Sequence, residues 1–323
     1  MHARIFPLAA LFLGVALAAS AQNANITQPV PDLERLLKAE PLVINEAEIS
    51  RPKANGDITL RADISFGGAP ALRVKLRKAE PGADTFNNVP RYDLAAYELQ
   101  KLFLDPQDYV VPPTALRMVP LPDFAKYSPG VKPTFRGADE VLAVVQYWLN
   151  DIKTVADVYD AGKFASDPVY ARHVGQMNLL TYLIQHGDSN AGNFLISRQA
   201  AGARVFSIDN GVAFSSKGSD RGELWKPLRV KQLPADAVET LHALTPQLLT
   251  QRLGVLAQWK LEAGHYVPTA PTENFNASRG VREKNGMVQM GLTQSEINGV
   301  RRLLEKLIDQ ADRGKFVLVP APH

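Results

Sequence analysis

The pattern of apolar and polar positions predicts strands first. Leu42–Ile49, Ile58–Phe66 and Leu72–Arg77 read as strands, separated by Pro52-Lys-Ala-Asn-Gly-Asp57 and Gly67-Gly-Ala-Pro70. Both separators carry Gly and Pro, and the first also Asn, the residues that tight turns demand, so the expectation is an antiparallel meander. Tyr92–Leu104 changes period: apolar residues at 92, 95, 96, 99, 102 and 103 mark one buried helical face, stopped by Asp105-Pro106. Extended pieces at Val110–Pro113 and Ala115–Val119 lead into a Pro-rich joint, Pro120–Pro133, which marks the expected lobe boundary.

Beyond the joint the reading is mainly helical. Val141–Leu149 has core-facing residues at 141, 144, 145, 148 and 149, and Asp167-Pro168 caps a helix running to about Gln185. Short strands follow at Phe194–Ile196 and Val205–Ile208, then helices at Ala235–Leu241 and from Thr245-Pro246. The last helix opens with the capping box Thr293-Gln-Ser-Glu296, flanked by Leu292 and Ile297, and ends at Gly314. The expected fold class is therefore α+β, with a β-rich lobe over 41–125, a helical lobe over 126–316, a polar linker at 22–40 and a tail at 317–323.

Residues 1–21 differ from the rest: Arg4, an apolar run from Ile5 to Ala18, and small residues at Ala19-Ser-Ala21 form a signal-peptide pattern. The run is shorter than the roughly 20 residues that span a bilayer, so no transmembrane segment is expected after cleavage. Cysteine is absent, which excludes a disulfide scaffold, a zinc ribbon and a lipoprotein anchor. The expectation is a periplasmic or secreted bacterial protein stabilised by core burial; in a eukaryote, Asn25-Ile-Thr27 and Asn276-Ala-Ser278 would be glycosylation sites. With 36 Lys+Arg against 33 Asp+Glu and no basic tract, nucleic acid is not an expected partner.

The candidate chemistry lies in His186-Gly-Asp-Ser-Asn-Ala-Gly-Asn193, after a long helix, and in Ser207-Ile-Asp-Asn-Gly211, after the next strand. Phosphoryl transfer from ATP needs a carboxylate to orient the acceptor hydroxyl and hard oxygens to hold Mg²⁺. Asp188 suits the first role, Asn193 and Asp209 the second. The five-residue spacing from Asp188 to Asn193 equals that of a kinase catalytic loop, and Asp-x-Gly follows a strand in both cases. Turn chemistry alone would also favour Gly, Asp, Ser and Asn here. His186 reads as a packed, orienting residue.

These two motifs resemble the atypical kinases related to type II phosphatidylinositol 4-kinases and to the secretory kinases of the four-jointed and Golgi casein kinase type. Val74-Lys-Leu-Arg-Lys-Ala-Glu-Pro81 is similar to their nucleotide-binding lysine strand, and Asp93-Leu-Ala-Ala-Tyr-Glu-Leu99 with Val111-Pro-Pro113 to the helix and strand that follow; the resemblance spans about 70–234. It implies a bilobal protein-kinase-like fold, with ATP and Mg²⁺ or Mn²⁺ in the cleft. It favours Lys75 over Lys78, which has the opposite strand parity, as the phosphate-binding cation. It also puts Asp93 where the family has a glutamate, a shorter partner for that lysine. Asp93 and Glu98 flank the apolar stripe equally, so periodicity leaves both open. Gly56 is the one glycine of the 51–57 turn that could let backbone approach phosphate.

The resemblance implies a phosphotransferase acting on a hydroxyl of a protein, sugar or lipid. A catalytically silent pseudokinase serving as a binding module, and an AMP-transferring enzyme on the same site, are the alternatives. Lys217, Arg221 and Lys226 read as loop-solvating cations rather than contacts to an acidic acceptor.

Overall fold

In register, Leu60, Ala62 and Ile64 of one strand stand opposite Leu76, Val74 and Leu72 of the next, and all six side chains are buried. The intervening pairs, Arg61 with Lys75 and Asp63 with Arg73, share the opposite face, because successive strand residues point to opposite sides. These residues belong to a computed structural model that describes 24–38, 41–50, 58–67, 69–84, 88–214 and 220–321. The signal-peptide pattern at 1–21, Gly56 and Lys217 lie outside the described residues.

The expected meander is β1 (Leu42–Ile49), β2 (Thr59–Phe66) and β3 (Ala69–Lys78). With β4 (Thr114–Pro120) and β5 (Glu140–Tyr147) it forms a five-stranded sheet in the order β1-β2-β3-β5-β4, antiparallel throughout. β5 overturns two expectations. The run at 141–149 is a strand to Tyr147 and not a helix, and the Pro-rich joint at 120–133 lies within the sheet's connection rather than after it. The reason is burial: every residue of β5 is buried, so its apolar run lacks the alternation of a half-exposed strand and fits a helical period equally well.

The linker expected at 22–40 is corrected as well. α1 (Val30–Lys38) buries Val30, Leu33, Leu36 and Leu37 on one stripe and packs against β4. Arg117 of β4 donates to the carbonyls of Leu36 and Leu37 at 3.3 and 3.4 Å, meeting acceptors that a helix end leaves open. Asn25 is fully buried, its amide donating to Asn150 O at 2.9 Å and Asp151 O at 3.2 Å, so it presents no glycan acceptor. α2 (Pro90–Gln100) starts with proline in its first turn and stops four residues short of Leu104; of its residues all but Glu98 are buried. α3 (Leu121–Ala125) sits inside the Pro-rich joint.

The rest of the chain is mixed. β6 (Ile152–Thr154), β7 (Phe194–Ser197) and β8 (Val205–Ser207) make a small antiparallel sheet. Between its first two strands come α4 (Ala161–Ser166) and α5 (Pro168–Leu183), the latter capped by Asp167, which accepts from Tyr170 N–H at 3.0 Å. β9 (Gln232–Pro234), α6 (Ala235–His242) and α7 (Pro246–Leu253) follow. A four-stranded antiparallel sheet was not expected: β10 (Ala257–Glu262), β11 (His265–Pro268), β12 (Val281–Lys284) and β13 (Met287–Met290), in the order β11-β10-β13-β12. α8 (Gln294–Asp312) carries the expected capping box. β14 (Val317–Val319) pairs in parallel with β9, so the expected tail is in part a strand. The architecture is α+β, and among the described residues no helix is long and apolar enough to cross a membrane.

Candidate functional site

The two motifs are zipped together by backbone hydrogen bonds. Gly187 N–H donates to Val212 O at 2.8 Å, Phe214 N–H to Ile184 O at 2.7 Å, and Ile208 N–H to Asn193 O at 2.9 Å. His186 is fully buried beneath this junction, its Nδ1 accepting from Asp188 N–H at 3.3 Å and its ring tilted against Phe194. Burial pushes its pKa down to about 4, so the imidazole is neutral and serves as a packing and orienting group.

Asp188 is held from several sides. Its Oδ1 accepts from Asn190 Nδ2 at 2.8 Å, and its Oδ2 from Asn193 Nδ2 at 3.0 Å and from Arg221 Nη2 at 2.7 Å. Asn193 Nδ2 also reaches Asp188 O at 2.7 Å. The carboxylate is thus fixed, with a cation on it. Arg221, expected to solvate a loop, instead reaches across to Asp188 from a largely exposed position.

Asp209 leaves β8 with φ +56°, a conformation uncommon for a residue bearing a side chain. It ion-pairs with Lys75 of β3, 134 residues earlier in the chain. Asn210 turns inward, its Oδ1 accepting from Ser207 Oγ at 2.8 Å. Gly211 lies where a Cβ would come within 1.8 Å of Asn88 Oδ1 and 3.1 Å of Asp93 Oδ2, so a side chain there would collide. Val89 N–H donates to Gly211 O at 2.9 Å, which holds the start of α2 against the segment.

The pairing expected between Lys75 and the α2 acid is not what forms. Asp93 pairs with Arg77, both essentially fully buried, and the second guanidinium nitrogen donates to Asn88 O at 2.9 Å. Lys75 and Arg77 share one face of β3, and Arg77, whose guanidinium also reaches Asn88 at the start of α2, takes the short aspartate, while Lys75 turns to Asp209. Burial pushes the Asp93 carboxyl above its ordinary range, opposed first by Arg77 and then by Lys75. Glu98 is corrected more fully. It is the one α2 residue not buried, and it pairs with Lys101 at 3.2 Å, which also meets Glu34 at 2.8 Å.

Lys75, Asp188, Asn193, Asp209 and Arg221 line one cleft of about 1180 Å³, between the face of β3 and the two motifs. The same cleft is lined by residues that the sequence reading did not assign to the site: Arg61, Gln146, Trp148, Leu149, Leu195 and Ile208. Arg61 and Gln146 are the cross-strand neighbours of Lys75 on either side, so strand register was the signal that could have found them. The Arg61 guanidinium lies 5.9 Å from the centre of the Trp148 ring.

The oxygens present fit a hard divalent cation. Asn193 commits its amide nitrogen to Asp188, and among the described residues its Oδ1 accepts no hydrogen bond; the Asp209 carboxylate lines the same cleft. Among the described residues no group of three or more His, Asp or Glu is placed to hold a metal ion. A cation here would take these two protein oxygens and complete its shell from phosphate and water, the habit of Mg²⁺ rather than of a caged metal. No protein-family model matches the chain, and no curated protein matches it.

Proposed function

We propose that this chain is a nucleotide-dependent phosphotransferase of the atypical-kinase type, with a bilobal protein-kinase-like fold whose cleft takes ATP. The observation that carries the reading is the convergence of Lys75, Asp188, Asn193 and Asp209 on one cleft, with Lys75 in contact with Asp209. The four come from three separate parts of the chain: β3, the 186–193 loop and the turn after β8. In this reading Lys75 balances the charge of the α and β phosphates. Asn193 and Asp209 would hold Mg²⁺ or Mn²⁺, which supplies neutralising charge to the phosphates. Asp188 orients the acceptor hydroxyl and takes its proton as the oxygen–phosphorus bond forms and the bond from the γ-phosphorus to the β–γ bridging oxygen breaks, releasing ADP. The apolar segment at the start of the sequence supports an exported setting, and the acceptor is a hydroxyl of a protein, sugar or lipid.

A second reading has its own observation. Arg221 caps Asp188 and, with Asn190 and Asn193, occupies both carboxylate oxygens, as a silent module that binds without turnover would have it. Incubation with ATP labelled either at the γ phosphate or in the adenine, with Mg²⁺ or Mn²⁺, separates the two. Transfer of the γ label is expected. Transfer of the adenine label would mean AMP transfer, and retention of both labels with nucleotide bound would favour the silent module.

A further inference from the structure

The first turn of α2 presents a second buried ion pair that the proposed chemistry does not use. Arg91 forks onto Glu296 of α8, Nη1 to Oε2 at 2.6 Å and Nη2 to Oε1 at 2.9 Å, with Nε on Asp84 at 2.8 Å and Nη1 on Gly291 O at 3.3 Å. Tyr92 hydroxyl donates to the same carboxylate. Glu296 is already fixed as the third residue of α8: its Oε2 accepts from Thr293 N–H at 2.7 Å and its own N–H donates to Thr293 Oγ1 at 3.2 Å. Gly280 gives the guanidinium its space, since a Cβ there would fall 2.0 Å from Arg91 Nε. The donors and acceptors of this fork are almost all spent, which is the condition under which a buried charge pair holds one geometry.

From that anchor α2 reaches the site by three routes. Val89 N–H is bonded to Gly211 O, the Tyr92 ring packs 5.3 Å from the Phe214 ring, and Asp93 lies beside Asn210 and Gly211. The other side of the helix is fastened to β3 by Arg77 and Asp93. A helix gripped at both sides by buried pairs leaves its neighbour segment, 209–214, little freedom.

We propose that Arg91 and Glu296 are positioning residues: the C-terminal helix α8 clamps α2 through them, and α2 in turn holds Asp209 and the following Asn-Gly segment in the orientation the cleft needs. Helix α8 is thus part of the site's support, and α2 is a fixed strut whose seating does not wait for nucleotide. This deepens the phosphotransferase reading and rests on it for the meaning of the cleft, while the clamp itself is measurable without any ligand.

The test is hydrogen exchange on the full chain and on two variants, Glu296→Gln and the double Arg91→Met/Glu296→Leu. The double removes both charges, an exchange that buried pairs often tolerate, so it covers the case in which the single variant does not fold. In a variant that still melts cooperatively, amides of 209–214 are expected to exchange about tenfold faster than in the wild type, while those of β1 and β2 are unchanged. Affinity for Mg²⁺-ATP should fall by about the same factor. Protection at 209–214 within about twofold of wild type in a folded variant overturns the clamp. So does failure of both variants to melt cooperatively, since the pair would then hold the whole fold and not the site. A wild type that binds no nucleotide removes the phosphotransferase reading and leaves the exchange result to stand by itself.

Discussion

Replacing Arg77 with methionine tests how this fold manages its most deeply buried charge. The side chains of Arg77 and Asp93 are 2% and 0% exposed. Removing the guanidinium leaves a carboxylate sealed from water, and breaking a buried pair from one side costs about 3–5 kcal/mol. At about 2–4 °C per kcal/mol for a large domain, Arg77→Met should melt roughly 6–20 °C below wild type. Two reliefs pull the figure toward its lower end: Lys75, the second cation acting on Asp93, can turn from Asp209, and Asp93 can take up a proton. The sign of the pH effect follows from the raised carboxyl. A native state that holds a proton which the unfolded chain has released loses stability as pH rises, so the loss starts near the ordinary aspartate value and continues until the folded pKa is passed. Deleting Arg77, the largest influence that lowers the Asp93 pKa, extends that window upward. Denaturant and thermal melts of wild type, Arg77→Met, Asp93→Leu and the double variant, each across the acid-to-neutral range, read both effects. The double should recover most of what either single loses. Single variants within about 1 kcal/mol of wild type, or losses that simply add in the double, would refute the reasoning.

Asp209→Ala should abolish the thermal shift given by Mg²⁺-ATP, because it removes the charged oxygen assigned to the metal; Asn193→Ala should reduce the shift less, and equal shifts in wild type and Asp209→Ala would contradict the assignment. Arg221→Ala should leave the melting temperature within a degree or two, since the arginine is largely exposed, and raise nucleotide hydrolysis severalfold by uncapping Asp188; unchanged hydrolysis in an otherwise active protein means that the contact is not a cap.

The parts of the fold legible in sequence were those with a one-sided environment. β1–β3 declared themselves by their turns, and α8 by a capping box whose Thr293 and Glu296 both make their bonds. β5 was misread because burial on both faces erases the alternation that separates a strand from a helix. The sheet β10–β13 went unforeseen although its turns carried a signal: Asn285-Gly286 has φ of +52° and +74°, the pair of left-handed residues that a two-residue hairpin requires. Asp188, Asn193 and Asp209, which line one cleft, stood out in the sequence because loop chemistry concentrates them in short motifs. The choice between Asp93 and Glu98 could not be made from periodicity, since α2 is buried nearly all round and its stripe says little about which acid faces inward. Nor could the partner of Asp93 be read, because Lys75 and Arg77 share a strand face and only the seating of α2 decides between them.

The central claim is that Asp188 performs chemistry in a cleft that binds nucleotide. The direct measurement is transfer of the γ-phosphate by wild type and by Asp188→Asn, with nucleotide affinity measured on the same samples. The variant keeps the shape of the side chain and removes the proton acceptor. Its transfer rate should fall by about 10²- to 10⁴-fold while affinity for Mg²⁺-ATP stays within a few-fold. Undiminished transfer by Asp188→Asn, or no transfer by the wild type, would contradict the account.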